Sequence, residues 1–129
     1  MKTIFKRTAV LTMVVAGALF SQAPAIQRTI LQRKDISYAG HEAVVVRVDV
    51  PPGVAAGRHT HPGEEITYVI EGQGEILVDG EAPLKVKTGE SFIVPARAKH
   101  DARNTGTGML KLSAVYVVEK GQPLLTPVP

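Results

Sequence analysis

The sequence predicts an all-β protein, built as a sandwich or a barrel of short strands. Apolar residues recur with a period of two rather than 3.6, as between Ala43 and Val50, where every second residue is valine. Turn-forming residues such as Pro51-Pro52-Gly53 and Gly106-Thr107-Gly108 separate the apolar runs. No stretch after residue 26 has a sustained helical pattern. Many short strands divided by turns are typical of these two architectures.

Further predicted strands follow the valine-rich run, each short and rich in β-branched or apolar residues: Glu65–Ile70, Gly74–Val78, Leu84–Val86, Ser91–Val94 and Met109–Val118. Asp79-Gly80 lies between two of these runs and predicts a hairpin, because both residues tolerate a positive φ. The tail from Gln122 to Pro129 carries three prolines in eight residues, so it cannot form a central strand. We expect this tail to be extended and mobile.

The N-terminal segment has the three-part pattern of a secretory signal. Lys2, Lys6 and Arg7 form a positive start, an apolar run follows from Thr8 to Phe20, and small residues lead up to Ala25. We expect cleavage after Ala25 and export to a bacterial periplasm or the medium. An uncleaved membrane anchor is the alternative, but the strongly apolar stretch is shorter than the roughly 20 residues that span a bilayer. Residues 26–129 then form a single domain.

The charge of the mature chain is balanced, which excludes several classes of partner. The whole chain has 15 basic and 12 acidic residues, and the signal segment holds three of the basic ones and no acidic one. Residues 26–129 therefore carry as many basic as acidic residues. This leaves no basic stripe for nucleic acid and no basic amphipathic helix for a membrane surface. We expect a small-molecule ligand or substrate instead.

A cluster of histidines carries the strongest functional signal. His59, His61 and His100 are three of the four histidines in the chain, and Glu65 follows His61 by four residues. Because side chains alternate along a strand, His59 and His61 project from the same face, and sheet closure can bring Glu65 and His100 to them. Imidazoles with one carboxylate suit a divalent transition metal: iron, manganese, nickel, copper or zinc. Four protein ligands leave two open positions on an octahedral ion, and a catalytic metal needs at least one such position.

The spacing of these residues resembles the two sequence motifs of the cupin superfamily. The first motif is matched at every spacing, by Gly53, His59, His61, Glu65 and Gly72. The second motif is matched except at Arg97, which stands where the family has glycine; the matching positions are Gly89, Pro95, His100 and Asn104. The chain is identified by this resemblance as a small, single-domain bacterial cupin of the type-2 kind.

The resemblance implies a small β-barrel of two packed sheets, a jelly roll that often forms a homodimer. It also implies that the metal is bound by His59, His61, Glu65 and His100. Arg97 departs from the motif at a position where glycine usually marks a positive φ, and a non-glycine residue there costs about 1 kcal/mol. We expect its side chain to be solvated, rather than to hold an anion at the pocket mouth.

The predicted chemistry is that of a metal which itself binds and activates a small ligand. A dioxygenase acting on an enolic or phenolic compound is the enzyme that we favour, with Glu65 as a ligand that could loosen and accept a proton. A non-catalytic exported protein that holds a metal or small ligand is the alternative. Decarboxylation or isomerisation at the same site is a further one. A phosphosugar isomerase is disfavoured, because no interior lysine or arginine is evident.

Other polar and aromatic side chains are expected to lie outside the chemistry. Alternation turns Glu64 away from Glu65 and into solvent, and it gives Tyr68 an apolar face suited to packing or a subunit contact. Tyr116 belongs to another apolar face. His41 is expected to be exposed, and Asn104 to make hydrogen bonds in a turn.

Overall fold

The computed structural model describes residues 24–129, which form two antiparallel five-stranded sheets without a helix. The all-β prediction is confirmed. Residues 1–23 of the predicted signal segment lie outside the described residues. From residue 24 onwards, no helix is long and apolar enough to cross a membrane.

Ten strands follow one another along the chain: β1 Gln27–Asp35, β2 His41–Val50, β3 His59–Thr60, β4 Gly63–Glu71, β5 Gln73–Val78, β6 Leu84–Lys87, β7 Ser91–Val94, β8 His100–Asn104, β9 Leu110–Glu119 and β10 Thr126–Pro127. The first sheet has the order β1-β2-β9-β4-β7, and the second has the order β10-β3-β8-β5-β6. Strands β5 and β6 pair as the predicted hairpin, with Gly80 at a φ of 83° in the connecting turn.

The core lies between the sheets and is lined by alternate residues of the long strands. In β2 and β9, every second side chain is buried, which is the period-two pattern that the sequence shows. The buried apolar set comprises Val44, Val46, Val48, Val50, Val69, Ile76, Val86, Phe92, Val94, Leu110, Leu112, Ala114, Tyr116 and Val118.

Strand β1 was not predicted from the sequence. All nine of its residues are exposed, and it pairs with β2 at the edge of the first sheet, with a bulge between Ile30 and Gln32. An edge strand that buries no complete face needs no regular alternation, so its sequence carries no strand signal.

The C-terminal tail is extended, as predicted, but it is held against the barrel. Thr126 and Pro127 pair with the short strand β3, and the amide of Val128 donates to the carbonyl of Arg58 at 3.0 Å. The carbonyl of Leu124 accepts a hydrogen bond from the ring of His61 at 2.6 Å. The mobility expected of the tail does not fit these contacts.

Arg97 adopts the backbone conformation that the family glycine would adopt. Its φ is 61°, and it is the one non-glycine residue between residues 24 and 129 with a positive φ. Its guanidinium lies at the surface, 3.0 Å from the carboxylate of Glu119. The expectation of a solvated side chain is therefore confirmed, and the guanidinium pairs with Glu119 instead of holding an anion at the pocket mouth.

Candidate metal centre

Three strands bring the four predicted ligands to one end of the barrel. His59 in β3 pairs directly with His100 in β8, and His61 follows β3 by one residue. The three imidazoles are buried, and their ligand atoms all lie within 4.8 Å of one another. The carboxylate of Glu65 in β4 completes the group, because its Oε2 lies 3.2 Å from the Nε2 atoms of both His61 and His100.

Backbone carbonyls select the tautomer of each imidazole. Each Nδ1 hydrogen-bonds to one carbonyl: His59 to Gly57 at 2.6 Å, His61 to Leu124 at 2.6 Å and His100 to Ala98 at 2.9 Å. A carbonyl only accepts, so the proton must sit on Nδ1. Each Nε2 then points to the centre of the group, where it can offer a lone pair to a metal once His100 has released the proton that it donates to Glu65.

The ionisation of these groups also suits a cation. Burial lowers the pKa of His59 to about 4, so this ring is neutral at pH 7. Burial also lowers the pKa of His100, but hydrogen bonds to Glu65 and Ala98 outweigh it, and the net pKa is raised. Burial raises the pKa of Glu65, whereas its contacts with His100, His61 and Thr67 hold it well below its usual range. Without a metal, a proton on His100 beside the Glu65 carboxylate therefore takes the place of the positive charge of the ion.

One buried atom has no hydrogen-bond partner in this group. The Nε2 of His61 is inaccessible to solvent and makes no hydrogen bond, although Glu65 is close to it. Leaving a buried polar atom unpaired costs about 1–3 kcal/mol, so such atoms usually have a function. The residues present fit a divalent metal ion that would take this lone pair as a ligand.

Thr67 and Tyr116 belong to the site, although the sequence did not identify them as site residues. The Thr67 hydroxyl donates to Glu65 Oε1 at 2.7 Å. Tyr116 pairs with Glu65 across β4 and β9, and its ring centroid lies 4.5 Å from that of His61. Burial, assisted by the charge of Glu65, raises the pKa of Tyr116, so the phenol keeps its proton. Alternation along β4 places Thr67 on the same face as Glu65, whereas only the register between β4 and β9 brings Tyr116 to the site.

Two small cavities adjoin the four ligands. One, of about 30 Å³, is lined by His59, Glu65 and His100. The other, of about 220 Å³, is lined by His61 and by apolar side chains, including Leu124 of the tail. Tyr116 and Arg28 line both cavities. Arg28 lies on β1, the strand that the sequence did not predict, and it borders both cavities while remaining exposed to solvent.

The remaining candidates lie away from the four ligands. Glu64 faces solvent, as predicted. Tyr68 is 50% exposed on the outer face of the first sheet, so it does not pack between the sheets, and its subunit contact stays a prediction. His41 is half-buried rather than exposed, and it stacks on Tyr38 with ring centroids 4.1 Å apart. Asn104 is buried and its amide donates to the carbonyls of Val50 and Gly108, which confirms a hydrogen-bonding role.

Solved structures share this architecture. A protein with a double-stranded β-helix domain from Klebsiella pneumoniae matches with a TM-score of 0.66 and 21% identity, over 84% of this chain and 90% of that one. A predicted oxalate decarboxylase from Thermotoga maritima matches with a TM-score of 0.61 and 28% identity, over 72% of this chain and 80% of that one. The first likeness concerns the fold alone, and the second also extends to sequence.

Curated relatives match over part of their length. An oxalate-binding protein from Thermotoga maritima is 33% identical over 73 residues, which span 56% of this chain and 60% of the relative. A dimethylsulfoniopropionate lyase from Ruegeria pomeroyi is 29% identical over 66 residues and is covered over 33% of its length. The model of the cupin domain (Cupin_2) matches residues 46–123, which include all four predicted ligands. This protein therefore belongs to the cupin family.

Proposed function

We propose that this protein is a metal-dependent cupin that binds a small carboxylate anion directly on its metal. The observation that carries the proposal is the convergence of three buried Nε2 lone pairs and one ionised carboxylate beside a very small cavity. A divalent metal supplies positive charge and open coordination positions to an oxygen ligand when it is bound.

The cavity size favours a ligand of a few atoms. A volume of about 30 Å³ beside His59, Glu65 and His100 holds about two water molecules. Two adjacent oxygen atoms of a compact carboxylate would fill the same space, whereas an aromatic ring would not. The likeness to an oxalate-binding protein and to a predicted oxalate decarboxylase supports a compact carboxylate as the ligand.

The surrounding residues can hold such an anion without a dedicated base. Glu65 is ionised because its pKa is held well below the usual range, so it serves as a ligand and accepts a proton poorly. Tyr116 keeps its phenolic proton and can donate it in a hydrogen bond to an oxygen anion. The proton-accepting role of Glu65 stays a prediction.

A dioxygenase acting on an enolic or phenolic compound is the second candidate function. It is favoured by the cavity of about 220 Å³ beside His61, whose lining is mostly apolar and includes Ile30, Val46 and Leu125. An aromatic ring could occupy this space while its oxygen reached an open metal position. Oxygen consumption by the metal-loaded protein with a panel of catechols and flavonols tests this candidate, and no consumption with any of them would exclude it for that panel.

The first experiment on the proposed function is elemental analysis of the purified protein and of two histidine variants. We expect about one equivalent of a divalent transition metal, lost in His100→Ala and retained in His41→Ala, because His41 lies outside the site. Calorimetric titration with oxalate should then show binding that depends on the metal. Wild-type protein that stays metal-free after reconstitution would contradict the proposal.

We also propose that two copies of the chain pair through the outer face of the first sheet. This face carries exposed apolar side chains: Ile66 at 43%, Tyr68 at 50%, Ile70 at 46% and Ile93 at 65% exposure. Contiguous apolar patches of this kind mark interaction surfaces. Light scattering should give a dimer for wild type, a monomer for Ile93→Glu and a dimer for Leu84→Glu on the other sheet. A monomeric wild type at micromolar concentration would exclude the pairing.

We propose, finally, that the protein is exported and that residues 1–25 are removed. The support is the positive, apolar and small-residue order of that segment. Mass spectrometry of protein expressed in a bacterium with its own N-terminus should find a chain that begins at Ile26 outside the cytoplasm. A cytoplasmic chain of full length would contradict export.

A further inference from the structure

Arg28 occupies an unusual position for a charged residue of an edge strand. It pairs with Val48 across β1 and β2, and Ile30 pairs with Val46. Both valines face the core, with 6% and 2% exposure. Directly opposed residues of an antiparallel pair share a face, so Arg28 lies on the same face of the sheet as the core valines, at an edge where it remains exposed to solvent.

Arg28 borders both cavities beside the predicted ligands. It lines the smaller cavity together with His59, Glu65 and His100, and the larger one together with His61. Among the described residues that line these cavities, Arg28 and Glu65 are the ones with a permanent charge at pH 7. Glu65 is already engaged by the histidines and Thr67.

Among the arginines that the structure describes, Arg28 and Arg103 are the two without a carboxylate partner. Four arginines each lie within 4.0 Å of a carboxylate: Arg33, Arg47, Arg58 and Arg97. Within the part of the chain that the structure describes, Arg28 has no such ion pair and no side-chain hydrogen bond. Its donors are therefore available to an anion that enters from solvent.

We infer that Arg28 is a second anion-binding group of the metal site and makes the site selective for a small dianion, such as a compact dicarboxylate, over a monoanion. This inference rests on the proposed function. Three neutral imidazoles, the Glu65 carboxylate and a divalent cation carry a single net positive charge, which a monoanion would neutralise. Arg28 adds a second positive charge, so a dianion brings the whole site to neutrality.

The bidentate geometry of arginine supports the same choice. A guanidinium presents two parallel N–H donors that match a carboxylate, and such pairs are among the stronger hydrogen bonds in proteins. A dicarboxylate can place one carboxylate oxygen pair near the metal and still offer oxygen atoms to Arg28. A monocarboxylate held by the metal has no second anionic group to offer.

The test compares a dianion with a monoanion on protein loaded with Co²⁺, whose visible absorption changes when an anion enters the coordination sphere. Oxalate and acetate are titrated into wild type, Arg28→Gln, Arg28→Lys and Arg33→Gln. Arg33 is the matched control, because it lies on the same strand but pairs with Glu42 and lines neither cavity. Metal content is measured in each sample after titration, since oxalate also binds free metal.

We expect Arg28→Gln to weaken oxalate binding by about tenfold, in line with one charged hydrogen bond at a partly solvated position. Acetate binding should change much less, Arg28→Lys should recover part of the oxalate affinity, and Arg33→Gln should resemble wild type. Equal oxalate affinity in Arg28→Gln and wild type would overturn the role of Arg28 and leave the proposed function standing. An equal loss for oxalate and acetate would overturn the selectivity. A metal-loaded wild type that binds neither anion would overturn the proposed function and the inference with it.

Discussion

The hydrogen bond from Thr67 to Glu65 can be removed with little change in shape. Thr67 is 1% exposed, and its Oγ1 donates to Glu65 Oε1 at 2.7 Å. Thr67→Val leaves this carboxylate oxygen buried without that donor. A hydrogen bond to a charged group contributes about 1.5–3 kcal/mol, and the added methyl returns about 0.8 kcal/mol through burial. We therefore expect the metal-free protein to lose about 1–2 kcal/mol of unfolding free energy.

The same substitution should weaken metal binding more than it weakens the fold. Thr67 orients the carboxylate, and losing a hydrogen-bond partner of a metal ligand typically costs 10–100-fold in metal affinity. Urea denaturation at pH 7 measures the first effect, and competition with a coloured chelator measures the second. Both are made on wild type, Thr67→Val and Thr67→Ser.

Serine at this position is the matched control, because it keeps the hydroxyl and removes only a methyl group. Thr67→Ser should lose about 1 kcal/mol of stability through the small cavity that it creates, yet bind metal nearly as wild type does. The reasoning is refuted if Thr67→Val binds metal as tightly as wild type, or if both variants lose metal affinity equally. In either case, the hydroxyl would not be what orients Glu65.

Three shorter predictions concern the backbone and the ligand set. Gly63→Ala should lower the free energy of unfolding by at least about 3 kcal/mol, because the added Cβ would lie 1.8 Å from a backbone carbonyl oxygen of β9. The control Gly108→Ala places its Cβ in open space, so its free energy of unfolding in urea should be nearly unchanged. Arg97→Gly should be more stable than Arg97→Ala by about 0.5–1 kcal/mol in thermal unfolding, since both lose the same ion pair and only alanine keeps a side chain at positive φ. Metal affinity should rise between about pH 5 and pH 8, because the raised pKa of His100 keeps a proton on this ring that competes with the metal until higher pH removes it. His59, with a pKa of about 4, stays neutral over the same range. Calorimetry of metal binding in two buffers of different ionisation enthalpy should show proton release, and its absence would contradict a proton on His100.

The four candidate ligands could be predicted from the sequence because they depend on local rules. His59 and His61 share a face through the period-two geometry of a strand, and the spacing to Glu65 and His100 is that of a recurrent motif. The long buried strands were predicted for the same reason, since alternation along β2 and β9 is a local property.

The residues around the ligands depend on pairing between distant parts of the chain. Tyr116 lies beside Glu65 only because β4 pairs with β9 in one particular register. Arg28 borders the cavities because it lies on β1, an edge strand whose sequence has no alternating apolar pattern. Leu124 orients His61 through its backbone carbonyl, and no particular residue type is needed for that. Period and composition carry none of this information.

The contact between Leu124 and His61 couples the C-terminal tail to the candidate metal site. The carbonyl that orients this imidazole lies 63 residues further along the chain, in a segment that pairs with β3. A metal ion that prefers the oriented imidazole would therefore also favour the docked tail, and detachment of the tail would weaken metal binding by the same factor.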